Sequence, residues 1–84
     1  MGTTLYASNL PFTATEETLV SKFESFGSVL SVRIERDSQG TSLRSAFIEM
    51  ETAAGAQRAI EGLNLANFEG RTVSVYAAVL AVPK

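Results

Sequence analysis

The sequence contains no cysteine and no histidine among its 84 residues. These absences exclude disulfide frameworks, zinc fingers, iron–sulfur sites, thiol nucleophiles and imidazole general bases. No apolar run approaches the roughly 18 residues of a membrane-spanning helix, and no signal peptide precedes the first strand-like segment. We therefore expect an intracellular protein that uses no metal or other cofactor and has no membrane partner.

Basic residues are also few. Lysine and arginine total 7 against 9 aspartate and glutamate residues, so the net charge is −2. A strongly basic nucleic-acid-binding protein would have the opposite balance, because phosphate contacts require positive charge. Hydrophobic residues form 45% of the chain, a proportion typical of a globular domain. We expect one domain over residues 1–84, with a core from about residue 3 to residue 79 and a C-terminal tail at 80–84.

Alternation of apolar and polar residues predicts four strands, at 3–8, 28–36, 46–50 and 72–77. Turn-forming residues predict a hairpin loop at 37–42 and another loop through Asn64, Asn67 and Gly70. With a helix before the second strand and another before the fourth, the element order is β-α-β-β-α-β. Two right-handed βαβ halves of this kind build an α+β, ferredoxin-like sandwich, in which a four-stranded antiparallel sheet carries both helices on one face.

The two helices are predicted from apolar residues at helical spacing, which are Leu19, Phe23 and Phe26 in the first and Ala56, Ala59, Ile60 and Leu63 in the second. Thr13 or Thr15 is expected to cap the first helix, and Gly27 to end it. Thr52 is expected to cap the second helix. Gly55 weakens that helix by up to ~1 kcal/mol relative to alanine.

The face of the sheet without helices is predicted to carry Thr4, Tyr6, Ser8, Arg33, Ser45, Phe47, Glu49, Ser74 and Tyr76. Three of the seven aromatic residues, Tyr6, Phe47 and Tyr76, therefore point away from the helices. Exposed rings are costly for a small domain unless a partner covers them. Nucleobases suit such rings, because stacking contributes about 1–3 kcal/mol per base. Tyr6 and Phe47 are the stronger candidates, since they fall on the predicted central strands.

Six short segments, taken in order, resemble the RNA recognition motif family over about residues 3–79. Residues 5–10 (LYASNL) match the family's first signature, an apolar–aromatic–apolar run that ends in Asn-Leu. Residues 43–50 (LRSAFIEM) occupy the place of the second signature, K/R-G-F/Y-G/A-F-V-x-F/Y. The other four segments are similar to the family's two helices and last strand, at 15–19, 23–27, 56–60 and 70–75. The resemblance implies a sheet ordered 4-1-3-2 with single-stranded RNA laid across it.

The second signature departs from the family pattern at four positions. Leu43 stands where the family has a basic residue, Arg44 where it has glycine, and Ser45 where it has an aromatic residue. Met50 replaces the final aromatic residue, a mild change because that side chain is expected to point into the core. The resemblance therefore implies stacking roles for Tyr6 and Phe47 only. At the third position, Ser45 offers a hydroxyl group with far less contact area than a ring.

The remaining candidate contacts come from two arginines and one tyrosine. Arg33 and Arg44 are candidates for phosphate contacts, although a solvated surface charge explains each of them equally well. Arg33 can instead pair with Glu49 on the neighbouring strand. Tyr76 offers substitute ring area at the opposite edge of the sheet. With about two or three phosphates neutralised, we expect modest affinity that depends little on salt.

Two function classes stay open. The first is a single-stranded RNA-binding module. The second is a protein-interaction or self-association module on the same fold, in which Val79, Leu80 and Val82 of the C-terminal tail cover the sheet or join another molecule. Catalysis is not expected, because no nucleophile–base pair or metal cluster can be assembled.

Asn9 is interpreted as a strand-end residue whose side chain forms hydrogen bonds with nearby backbone.

Overall fold

Five strands and two helices follow one another along residues 3–78, the part of the chain that the computed structural model describes. They are β1 (Thr4–Ser8), α1 (Glu16–Glu24), β2 (Val29–Arg36), β3 (Ser42–Met50), α2 (Ala53–Leu63), β4 (Ala66–Phe68) and β5 (Arg71–Ala77). The strands form one antiparallel sheet in the order β2-β3-β1-β5-β4. The predicted ferredoxin-like fold is confirmed, with β5 in the place of the predicted fourth strand.

The short strand β4 lies in a segment that was expected to be a loop. It forms a tight hairpin with β5, in which Asn67 pairs with Thr72. Glu69 and Gly70 make the turn at φ values of 51° and 90°, and the Asn67 side chain accepts a hydrogen bond from the Gly70 amide. A strand of three residues is too short to show alternation, so turn-forming residues dominated the sequence pattern.

Strand β3 begins at Ser42, four residues before the predicted start. Two backbone irregularities disrupt the alternation of its first half, so that part of the strand could not be predicted from the sequence. Arg44 has a φ of 65°, and the β2–β3 register shifts between Ile34 and Arg36. Ser45 and Ala46 are consequently both buried, which breaks the period of two that marks a regular strand.

The two helices are capped at their N-termini by threonine. Thr15 accepts a hydrogen bond from the Thr18 amide at 3.1 Å, and Thr52 accepts one from the Gly55 amide at 2.9 Å. Each cap satisfies an amide that has no partner within its helix. Thr15 is therefore the cap of α1, and the alternative prediction, Thr13, is wrong.

Gly27 does not end the first helix as predicted. Helix α1 stops at Glu24, with Ser25 as its C-cap, and Gly27 has extended backbone with a φ of 159°. Its function is close packing, because a Cβ atom there would lie 3.0 Å from the Gly55 Cα atom. Conversely, a Cβ atom on Gly55 would lie 3.3 Å from the Phe26 carbonyl oxygen. The two glycines thus let the start of α2 approach the loop after α1.

The core lies between the two helices and one face of the sheet. Strands contribute alternate residues to it, namely Leu5, Ala7, Ile34, Ala46, Ile48, Met50, Val73 and Val75, and the helices contribute Leu19, Phe23, Ala56, Ala59 and Leu63. Phe26, Val32 and Ile60, which were also expected to be buried, pack at its margin. Because both helices cover the same face, the residues between these positions along each strand lie on the opposite face.

We predict that Gly55→Ala destabilises the domain, although alanine favours a helix by about 1 kcal/mol. The new methyl group must displace backbone atoms of the loop after α1, and overpacking of this kind costs about 1–3 kcal/mol. Urea denaturation of both proteins measures the change. Ala54→Gly, at the exposed neighbouring position, is the control for helix propensity. A Gly55→Ala protein more stable than the wild type would contradict the close packing of the two glycines.

Candidate nucleic-acid interface

Four of the six predicted site residues lie in one line across the open face, meaning the sheet face without helices. Tyr6 on β1 is paired with Phe47 on β3 and with Tyr76 on β5, and Phe47 is paired with Arg33 on β2. The Tyr6 ring centroid lies 4.9 Å from that of Phe47 and 5.6 Å from that of Tyr76. The Arg33 guanidinium carbon is 5.5 Å from the Phe47 centroid. We call this line the aromatic row.

Smaller polar side chains flank the aromatic row on both sides. One flanking row contains Thr4, Glu49 and Ser31, and the other contains Ser74, Ser8 and Ser45. Tyr76 is 48% exposed, and Tyr6 and Phe47 are half-buried. Five of these six flanking residues are serine or threonine, whose side chains are shorter than the rings, so one face of the row is accessible to a planar ligand that crosses the strands.

Glu35 joins two of the predicted site residues, and it was not predicted as part of the site. Its Oε1 atom accepts a hydrogen bond from the Tyr6 hydroxyl at 2.9 Å and another from the Ser45 hydroxyl at 2.7 Å. Ser45 is only 6% exposed, so the expectation that it offers a free hydroxyl is wrong. Through this shared acceptor, Tyr6 on β1 and Ser45 on β3 are both joined to Glu35 on β2.

The Tyr6 hydroxyl has an altered acidity in this arrangement. Its hydrogen bond with Ser45 acts to lower the pKa, but desolvation and the negative charge of Glu35 outweigh it and raise the pKa of Tyr6 above the ordinary value of 10.0. Tyr6 is therefore a neutral hydrogen-bond donor throughout the physiological range. The bond also fixes the direction of its ring across the sheet.

The expected ion pair between Arg33 and Glu49 is not formed. Over residues 3–78, the ion pair that the structure contains joins Arg36 to Glu16 at 3.6 Å. Arg33 extends over the Phe47 ring instead, at a distance typical of a cation–π contact. Together with Thr4 and Ser31, these residues line a shallow cleft of about 420 Å³. Both charged side chains therefore face the cleft without neutralising each other.

Arg44 lies apart from the aromatic row, near the start of β3 and next to the β1–α1 loop. Its guanidinium carbon stacks 3.7 Å from the centroid of Phe12, whose ring is 59% exposed. Arg44 also has a φ of 65°, in the left-handed region where the second family signature has glycine. The Phe12–Arg44 pair lies where the β1–α1 loop meets the start of β3. Phe12 was not predicted, because an aromatic residue in a loop has no periodic signal.

Asn9 links β1 to β5 and does not serve nearby backbone as expected. Its side-chain amide donates to the Thr72 carbonyl at 2.7 Å, and the Arg71 side chain donates to both oxygens of Asn9. Asn9 itself has a left-handed φ of 65°. The Arg71 side chain is therefore hydrogen-bonded within the domain, and these contacts hold the neighbouring ends of β1 and β5 together.

Comparison with known proteins agrees with this architecture. The RNA recognition motif family model matches residues 5–74. The chain is 33% identical over 75 residues to the putative RNA-binding protein RbpE of Nostoc sp., a match that covers 88% of this chain and 76% of that protein. It is 37% identical over 71 residues to human RNA-binding protein 28, covering 84% of this chain. The chain spans only 9% of that protein and 10% of Arabidopsis thaliana polyadenylate-binding protein 4.

Solved structures give the same result. The RNA-binding protein PG1 superposes with a TM-score of 0.88 at 36% identity, covering 98% of this chain and 99% of that chain. A Sxl-lethal protein/RNA complex superposes with a TM-score of 0.91 at 29% identity, covering 98% of this chain and 50% of that chain. The chain therefore belongs to the RNA recognition motif family.

No helix within residues 3–78 has the length and apolar character needed to cross a membrane.

We predict that Glu35→Gln lowers the pKa of Tyr6, because it removes the adjacent negative charge. Phenolate absorbance, measured against pH in a Tyr76→Phe background, reports the titration of Tyr6. Glu49→Gln is the control, since it removes a carboxylate from the same face without touching the Tyr6 hydroxyl. An unchanged Tyr6 titration in Glu35→Gln would contradict the role of Glu35.

The raised pKa of Tyr6 also predicts how stability depends on pH. The unfolded chain loses the Tyr6 proton near pH 10, before the folded protein does. The free energy of unfolding should therefore be highest below about pH 10 as far as Tyr6 is concerned, and should fall as the pH rises towards the folded-state pKa. Urea denaturation across this range measures the fall, which should be smaller in Tyr6→Phe. An identical pH dependence in the two proteins would refute this assignment.

Proposed function

We propose that this domain binds single-stranded RNA across the open face, with nucleobases stacked on Tyr6 and Phe47. The observation that carries the proposal is the aromatic row itself. Its rings lie on adjacent central strands, on the face that neither helix of residues 3–78 covers. A π-face stacks on any base, so such a row favours single-stranded nucleic acid over a folded protein partner.

The other residues of the open face have supporting roles in this proposal. Tyr76 extends the stacking surface at one end of the row, and Arg33 supplies positive charge at the other. Ser45 positions Tyr6 through Glu35 and makes no contact with RNA itself. Arg44, stacked on Phe12, is placed to meet a phosphate or base that leaves the sheet near the β1–α1 loop.

Charge limits the affinity that we expect. Glu35 and Glu49 both lie on the open face, and each carboxylate repels a nearby phosphate group. Arg71 is held by Asn9, which leaves Arg33 and Arg44 as the basic groups of the described residues nearest to the row. Binding should therefore depend mainly on stacking and be of modest affinity.

The names of the relatives support RNA binding as the proposed function. RbpE and protein 28 are named as RNA-binding proteins, and one superposed structure is a protein/RNA complex. An RNA partner would also place the domain inside the cell. The competing proposal, self-association or a protein partner, depends on Val79, Leu80 and Val82, which lie outside the described residues. We therefore propose RNA binding in preference to self-association or a protein partner, and a binding function in preference to a catalytic one.

We predict that Tyr6→Ala and Phe47→Ala each weaken binding to short single-stranded RNA. Loss of one stacked base costs about 1–3 kcal/mol, which corresponds to roughly 5- to 150-fold in affinity. Fluorescence anisotropy measures affinity, and circular dichroism checks that each variant is folded. Leu65→Ala, at a 67% exposed position outside the row, should bind like the wild type. Full affinity in the Tyr6→Ala, Phe47→Ala double variant would refute the proposal.

We also predict a weak dependence of binding on salt. Single-stranded nucleic acid gives a slope of about −0.7 in log K against log salt for each neutralised phosphate, so two or three contacts give about −1.4 to −2.1. Titrations at several salt concentrations measure this slope. Arg33→Gln should make it shallower, while Arg58→Gln, in the exposed part of α2, should not change it. A much steeper slope would mean that phosphate contacts dominate.

A further inference from the structure

The shallow cleft beside Phe47 has features that stacking alone does not use. The Phe47 ring forms one side of it, and Arg33 and Glu49 reach into it from neighbouring strands. Thr4 and Ser31 are small residues, so the cleft is open where they lie. Its volume of about 420 Å³ is within the range of sites that hold a small planar molecule, about 300–1,000 Å³.

The two charged side chains have opposite hydrogen-bonding requirements. The guanidinium group of Arg33 only donates, and the carboxylate of Glu49 only accepts. Both side chains are exposed, and they form no ion pair with each other in the described structure. A base stacked on Phe47 therefore meets a donor group on one side and an acceptor group on another. The best base presents acceptors to Arg33 and donors to Glu49.

Guanine meets both requirements, because it has two adjacent acceptors for Arg33 and two adjacent donors for Glu49. Its O6 and N7 atoms are adjacent acceptors, and they match the paired N–H groups of arginine. Its N1–H and N2–H groups are adjacent donors, and they match the two oxygens of a carboxylate. Adenine and cytosine each offer one amino group to Glu49. Uracil offers a single N–H group between two carbonyl oxygens, and these oxygens repel the carboxylate.

We propose that the cleft lined by Phe47, Arg33 and Glu49 is a guanine-selective subsite for single-stranded RNA. The proposal rests on the proposed function, and it adds a base preference that the aromatic row alone does not provide. Phe47 supplies stacking for any base, and the two charged groups supply the discrimination. Specificity arises partly from attraction to guanine and partly from the unfavourable contact between Glu49 and the carbonyl oxygens of uracil.

The test uses the full 84-residue chain and short oligouridines that carry one central guanosine, adenosine or cytidine, with plain oligouridine as the reference. A single guanosine avoids self-association of the RNA, and the strand can slide until that base reaches the cleft. We expect the guanosine RNA to bind about 5- to 150-fold more tightly than the reference, the range that one bidentate base contact confers. Fluorescence anisotropy gives the four affinities.

Altered bases assign the two contacts to individual atoms. Inosine lacks the N2 amino group but keeps N1–H, so it should lose one of the two hydrogen bonds to Glu49. 7-Deazaguanosine lacks the N7 acceptor but keeps O6, so it should lose one of the two hydrogen bonds from Arg33. Glu49→Gln should reduce the ratio of guanosine to adenosine affinity, because guanine has two adjacent donors for the carboxylate and adenine has a single amino group. Glu51→Gln is the matched control, since it removes one negative charge at an exposed position outside the cleft.

The outcomes separate this proposal from the proposed function. Equal affinities for all four RNAs, with binding still lost in Phe47→Ala, would overturn the guanine subsite and leave RNA binding in place. A guanosine preference that survives in both Glu49→Gln and Arg33→Gln would also overturn it. If no RNA binds at all, both proposals are wrong.

Discussion

The pairing of β1 with β3 at the centre of the sheet is the constraint on which the other features depend. In this register Leu5 lies opposite Ile48 on the covered face, and Tyr6 lies opposite Phe47 on the open face. A slip of one residue would turn the apolar set towards solvent and the rings towards the helices. Burial of Leu5 and Ile48, both fully inaccessible, therefore also determines where the rings lie. Core packing and the candidate site share a single register.

The sequence predicts those parts of the molecule that repeat with a regular period. Leu5, Tyr6 and Ala7 alternate without interruption, and so do Val73, Ser74 and Val75 in the last strand. Their inward and outward directions follow from the pleat alone. Threonine caps are also local, because the donor and acceptor lie three residues apart. For these reasons the order of every element except the short strand β4, the covered face and the aromatic row can all be predicted without coordinates.

Features that depend on irregular backbone or distant partners are not accessible in this way. Glu35 reaches Ser45 and Tyr6 because the β2–β3 register shifts near the end of β2. Arg44 meets Phe12 because its backbone is left-handed, a conformation that a sequence pattern with arginine in a glycine position does not suggest. The glycine contact between Gly27 and the second helix joins segments 28 residues apart (55 − 27). In each case tertiary geometry, and not local preference, decides the outcome.

The hydrogen bond from Tyr6 to Glu35 has a consequence for the entropy of complex formation. A tyrosine that rotates freely in the unbound protein loses rotamer freedom when a ligand covers it, at a cost of roughly 0.5–1.5 kcal/mol per immobilised side chain. Tyr6 has already lost much of this freedom, because its hydroxyl is tethered two strands away. Ser45, which stands where the family usually has a third ring, donates to the same Glu35 oxygen. The position that lacks a ring thus takes part in the contact that holds the Tyr6 ring in place before any ligand binds.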